Sequence, residues 1–246
     1  MRNWVKQGQN SEKQEKKDKE NKEESEDNTE SQPKANENDE KTPITDGAEE
    51  IPSNKPNPPA ATGNWWDYPA DIITITSDPN NLNVVVTKKY KLPSTYAPSD
   101  LVQIAGTSAR VTKTLYIRSV ALQALKDLTL AAKNEGIDLS IQSAYRSYQT
   151  QVSTYQYWVN YNGGNTDLAD QVSARPGHSE HQLGTVVDFS TAAAGDEVGS
   201  AFNGSAACKW LEAHASEYGF YLSYPKGQES ITGYAYEGWH YRFKGN

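Results

Sequence analysis

The sequence predicts one α+β domain behind a long polar tail, and three observations carry that expectation. Composition changes abruptly near Gly63. Downstream of it, segments with helical apolar spacing end at glycines. Between them lie short β-branched segments, with no regular strand–helix–strand alternation.

The first observation comes from the bulk numbers. The chain has 246 residues and a formal net charge of −8, with a mean hydropathy of −0.83. From Ser11 to Glu40 nearly every residue is Glu, Lys, Asp, Asn, Gln or Ser, and no aromatic occurs between Trp4 and Trp65. Such a stretch buries too little apolar surface to offset its ordering entropy, so disorder is expected. Residues 51–61, with Pro52, Pro56, Pro58 and Pro59, read as a stiff, extended spacer. The expected division is therefore a disordered tail and linker over 1–62 and a folded domain over 63–246. The domain holds five of the six tryptophans and every tyrosine, and its length suffices for one buried core.

Along that domain, Ile72–Ser77 and Leu82–Thr87 flank the turn signal Asp78-Pro79-Asn80-Asn81 and predict a hairpin. A helix is predicted from about Tyr116 to Asn134, with Val120, Leu122, Leu125, Leu128, Leu130 and Ala131 near the helical period and Gly136 as its stop. Leu139–Ser143 reads as a strand. Ser147 or Thr150 to Tyr161 reads as a second helix, closed by Gly163-Gly164. Thr185–Phe189 is a short strand, Ala206 to Tyr218 a third helix stopped by Gly219, and Tyr221–Ser223 and His240–Phe243 are closing strands.

Several function classes drop out. An acidic chain without clustered Lys and Arg is a poor match for nucleic acid. No apolar run is long enough to span a membrane. With one cysteine, Cys208, no intrachain disulfide forms, and its helical setting suits a small core residue.

Three of the four histidines lie in two chemically suggestive runs: Pro176-Gly-His178-Ser-Glu-His181-Gln-Leu-Gly184-Thr-Val-Val-Asp188, and Glu237-Gly-Trp-His240. Asp188 lies seven residues after His181, a span of roughly 23 Å when extended. Binding one metal ion requires the chain to turn, and Gly184 can supply that turn. The strand Thr185-Val-Val then carries Asp188 back, and His240 from a distant strand completes a His-Asp-His set. Three protein ligands with one open position is the pattern of catalytic zinc; the same donors also serve non-haem iron. Glu237 lies three residues before His240, and a turn or bulge that brings both to one side would let it act as general base. On spacing alone, the competing reading is a set of ordinary polar residues in turns. His178 and His214 read as structural or exposed histidines.

These motifs resemble the zinc D-alanyl-D-alanine carboxypeptidases of the VanY type and the related LdcB-like L,D-carboxypeptidases. That group also holds VanX-like dipeptidases, phage endolysin peptidases and the Hedgehog amino-terminal domain. Ser143-Ala-Tyr-Arg-Ser147 resembles the family's strand end, Pro176–Gln182 its zinc loop and Glu237–Arg242 its closing strand; Lys88–Leu101 is similar to its opening segment. The resemblance implies zinc held by His181, Asp188 and His240, with Glu237 as base. It implies that Arg146 engages a substrate carbonyl or carboxylate, and that Gln151 and Ser179 hydrogen-bond the C-terminal D-residue. Tyr145, Trp239 and Tyr241 are expected to wall the pocket. Gly238 departs from the proline that relatives often carry and is expected to loosen the backbone beside Glu237.

The fold expectation becomes a small antiparallel sheet with helices on one face and a zinc cleft on the other. The implied function is hydrolysis of the C-terminal D-Ala from peptidoglycan stem peptides, by a D,D- or L,D-carboxypeptidase that acts as a monomer. A peptidoglycan endopeptidase and a non-catalytic zinc-containing stem-peptide binding module stay open beside it. A polar, proline-ended stalk suits a tethered protein, so the expected location is the bacterial cell surface, with an anchor absent from this sequence.

Overall fold

A computed structural model describes residues 63–245. The tail and linker expected over residues 1–62 lie outside the described residues.

The fold is α+β. In chain order the elements are β1 (Ile73–Thr74), β2 (Tyr90–Lys91), β3 (Leu101–Gln103), β4 (Arg110–Val111), β5 (Tyr116–Arg118), α1 (Ser119–Asn134), β6 (Ser140–Ser143), α2 (Tyr148–Tyr161), α3 (Thr166–Val172), β7 (Val186–Ser190), α4 (Ala206–His214), β8 (Phe220–Leu222), α5 (Glu229–Thr232) and β9 (His240–Phe243). The main sheet has five strands in the order β4-β6-β7-β9-β8. Its β6–β7, β7–β9 and β8–β9 pairings are antiparallel, while β4 joins β6 in parallel at one edge. A parallel neighbour needs a crossover connection, which β5 and α1 provide here.

The sheet is two-faced because strand side chains alternate. Val187 and Phe189 of β7 and Tyr241 and Phe243 of β9 enter the main core with Leu125 and Leu128 of α1 and Trp210 and Leu211 of α4. Each such buried side chain contributes about 1.5–3 kcal/mol. The intervening positions Asp188, His240 and Arg242 project to the other face and are buried there too. Helices α1 and α4 thus cover one face, while the polar face opens on a cleft bordered by α2 and α3. Ser147 and Ser205 start α2 and α4 by accepting from the amides of Thr150 and Cys208.

Three local expectations are corrected. The hairpin does not form. Its turn is present, with Asn81 N donating to Asp78 O at 3.2 Å, but β1 pairs in parallel with β2, downstream of Leu82–Thr87. The Leu82 and Val84 carbonyls instead accept from Arg242 at 2.8 and 2.6 Å. The first helix starts at Ser119 because Tyr116–Arg118 is extended and pairs with β3, burying Ile117 completely. The third helix ends at His214, and a 3-10 turn, Ala215–Tyr218, carries the chain to Gly219. The short helix α3 was not foreseen.

Candidate metal centre and active site

His181 sits on a 3-10 turn, Glu180–Leu183, closed by Gly184 in the left-handed region at φ 71°. A side chain there would meet Arg118 Cγ and Leu101 Cδ2 at 3.0 Å, so glycine is required both for the turn and for the close approach. Arg118 N donates to Gly184 O at 2.7 Å. The chain then enters β7, where Asp188 lies opposite Ser143 on one side and His240 on the other. The sheet register therefore sets the Asp188–His240 proximity. His181 is stitched to the end of β6 from both directions. Its Nδ1 donates to Ala144 O at 2.6 Å, and Arg146 N donates to His181 O at 3.1 Å.

His181, Asp188 and His240 each offer one ligand atom, all within 4.8 Å of one another. His181 Nε2 lies 3.2 Å from Asp188 Oδ2, and His240 Nδ1 lies 3.1 Å from Asp188 Oδ1. Glu237 Oε2 stands 3.6 Å from the same His240 nitrogen. The outer nitrogen of each ring is occupied, His181 by the Ala144 carbonyl and His240 by Glu180 Oε2 at 3.1 Å. Both rings thus turn their remaining nitrogen inward.

The charges in the site act strongly on one another. Burial pushes Glu237 up to about 7, with Asp188 adding repulsion against attraction from His240. Burial works against charge on His240, but hydrogen bonds to Asp188 and Glu180 push it up to about 10. Burial would raise Asp188, yet the two imidazoles hold it far below the usual carboxylate range. Burial lowers His181. Buried Asp188 and Glu180 and the partly exposed Glu237 all face His240, and a divalent ion bound by neutral histidines would add balancing positive charge. The N,N,O donor set and its burial fit zinc.

The cleft above these residues has a volume of about 370 Å³. Arg146, Gln151, Ser179 and Trp239 line it, together with Tyr224, Tyr234 and Tyr236. Tyr145 and Tyr241 do not. Tyr145 N donates to Tyr116 O, while Tyr241 packs against Phe189 on the core face. Gln151 is buried; its Oε1 accepts from Arg146 Nη1 at 3.0 Å and its Nε2 donates to Ala174 O at 2.7 Å. Arg146 Nη2 also donates to Ser143 Oγ at 3.1 Å. Ser179 Oγ accepts from His181 N at 3.3 Å.

Gly238 is not loose. A Cβ there would meet Tyr236 Oη at 2.5 Å, Asn203 Oδ1 at 2.7 Å and Cys208 Sγ at 2.8 Å. Its amide donates to Asn203 Oδ1 at 3.2 Å, a bond proline cannot make. His178 is structural, with Nδ1 2.8 Å from Thr87 O and its ring edge-on to Tyr68. His214 pairs with Glu217 at the surface.

Sequence reasoning missed Glu180 and Arg242. Arg242 Nη1 donates to Glu180 Oε1 at 2.9 Å, and both residues are buried. A signal for Arg242 existed: it lies two residues after His240 on a strand, hence on the same face.

Two imidazoles and a buried carboxylate converging beside a second, partly exposed carboxylate have the make-up of a hydrolytic metal centre. The chain belongs to the VanY family of D-alanyl-D-alanine carboxypeptidases, whose sequence profile matches residues 114–246. YodJ of Bacillus subtilis, a carboxypeptidase by name, is 40% identical over 177 residues, 71% of this chain and 64% of YodJ. The chain spans less than two thirds of the curated relatives it matches. The LdcB LD-carboxypeptidase structure matches with a TM-score of 0.65 and 41% identity, over 71% of this chain and 81% of that one. The VanY D,D-pentapeptidase of a VanB-type resistance cassette, solved in complex with Zn(II), matches with a TM-score of 0.55 and 29% identity, over 68% of this chain and 89% of that one.

Proposed function

We propose that this chain is a zinc-dependent carboxypeptidase that removes the C-terminal D-Ala from peptidoglycan stem peptides. The observation that carries the reading is the convergence of His181, Asp188 and His240 within 4.8 Å, with Glu237 at their side. Family membership and the Zn(II)-containing neighbour support it.

His181 Nε2, an Asp188 oxygen and His240 Nδ1 would hold the ion. When bound, zinc polarises the scissile carbonyl and lowers the pKa of an attacking water. Glu237 accepts a proton from that water as it adds to the carbonyl carbon. The same carboxyl then gives the proton to the departing amine as the C–N bond breaks, so the step is balanced hydrolysis. Arg146, fixed by Gln151 and Ser143, directs its planar fork at a substrate carbonyl or carboxylate. Gln151 then acts by fixing Arg146, while Ser179 and Trp239 are placed to touch the substrate. The proposed domain is 63–246 and the proposed working form a monomer at the bacterial cell surface. Among the described residues no helix is long and apolar enough to cross a membrane.

Incubation with defined tetrapeptide and pentapeptide stems, with and without a chelator, tests the reading. Chelator-sensitive loss of one terminal alanine supports it, and the preferred stem distinguishes L,D from D,D cleavage. Internal cleavage would assign an endopeptidase. Binding without turnover at saturating zinc would overturn the enzymatic reading.

A further inference from the structure

His240 can offer Nδ1 to a metal only if its remaining proton sits on Nε2. Glu180 Oε2 lies 3.1 Å from that Nε2. The other Glu180 oxygen accepts from Arg242 Nη1 at 2.9 Å. Arg242 is anchored in turn by the Leu82 and Val84 carbonyls at 2.8 and 2.6 Å. The relay is dry, with Glu180 7% and Arg242 3% exposed. No part of it faces the cleft: neither Glu180 nor Arg242 lines it. We propose that Glu180, clamped by Arg242, is the positioning residue that fixes the tautomer and ring plane of His240 so that Nδ1 faces the metal position. The inference rests on the reading of His240 as a zinc ligand.

The physical reason is that imidazole is a two-ended group. An acceptor at Nε2 holds the proton there and raises the donor strength of Nδ1. His181 is served the same way by a backbone carbonyl, which side-chain mutation cannot remove. His240 depends on a side chain, so its orientation is open to test. Arg242 keeps the carboxylate from turning away.

The decisive variant is Glu180→Gln. Its oxygen is expected to stay with Arg242, an obligate donor, which turns the amide NH2 toward His240 Nε2. That favours the opposite tautomer, with a proton on Nδ1 where the metal would bind. Two quantities are measured on folded protein: the zinc dissociation constant by competition with a chromogenic chelator, and the His240 tautomer in the zinc-loaded protein by long-range 15N–1H correlation. The expected result is about 10–100-fold weaker zinc binding, with His240 losing the wild-type tautomer. Glu180→Asp keeps a charge opposite Arg242 and so guards against a misfolded Gln variant; it is expected to fall between the two. Zinc affinity within about twofold of wild type in both variants, with the Nε2 proton retained, overturns the positioning role. A zinc-loaded wild type whose His240 Nδ1 is unligated would instead refute the metal reading beneath it.

Discussion

Glu237→Gln should separate stability from activity in opposite directions. The Glu237 side chain is 22% exposed, and burial lifts it from 4.5 to about 7 in the metal-free protein. At about 1.4 kcal/mol per pH unit, that shift corresponds to about 2–3 kcal/mol once partial solvent access is allowed for. The folded-state value lies above the unfolded one, so the carboxyl's contribution is complete below about pH 4.5 and lost as pH rises through 7. Above pH 7 the wild type therefore holds a buried charge that a neutral amide avoids. Urea denaturation in chelator should find Glu237→Gln more stable by about 2–3 kcal/mol at pH 8.5. The difference should vanish near pH 4.5. With zinc restored, the same variant should bind the ion yet lose hydrolysis by a factor of about 10²–10⁴. Equal stability at pH 8.5, or a stability gain that ignores pH, would refute the electrostatic argument. Full activity would refute the proton-transfer role.

Three further outcomes are expected. Because His240 is pushed up to about 10 without metal, zinc must displace about one proton on binding. Affinity should then rise roughly tenfold per pH unit between pH 7 and 9, checked by calorimetry in buffers of differing ionisation heat. Gly238→Ala should cost about 1–3 kcal/mol, since three side chains already occupy the added volume; chemical denaturation measures it, and an unchanged midpoint would contradict the crowding. Gln151→Ala, which removes the brace on Arg146, should lower kcat/KM about tenfold while leaving the zinc dissociation constant unchanged.

The metal-ligand candidates were legible chiefly through the family motifs around them, since spacing alone left ordinary turn residues open. Bringing Asp188 back to His181 requires a turn that Gly184 can supply, and Gly184 has a positive φ. The second and third helices were legible through their glycine stops, although the third finishes as a 3-10 turn. Pairing partners were not legible. The run Val84-Val85-Val86 has strand propensity but joins no strand; its Val84 carbonyl instead accepts from Arg242, 158 positions away. Tyr116–Arg118 extends the apolar pattern of α1, and only the facing β3 makes it a strand. Glu180 was passed over because a glutamate inside a loop has no periodicity to reveal which histidine it will face. The brace from Gln151 to Arg146 was not legible, because a sequence does not show which side chain an amide meets.

The anchoring of Arg242 on the Leu82 and Val84 carbonyls has a practical corollary for anyone trimming this protein. The portion matched by the family profile starts at residue 114, so a fragment cut there would retain every proposed metal ligand. It would also strip the guanidinium of two of its acceptors and leave it straining against a single carboxylate. Such a minimal fragment should be soluble at best as a poor chelator, and the shortest useful expression boundary lies upstream of Leu82.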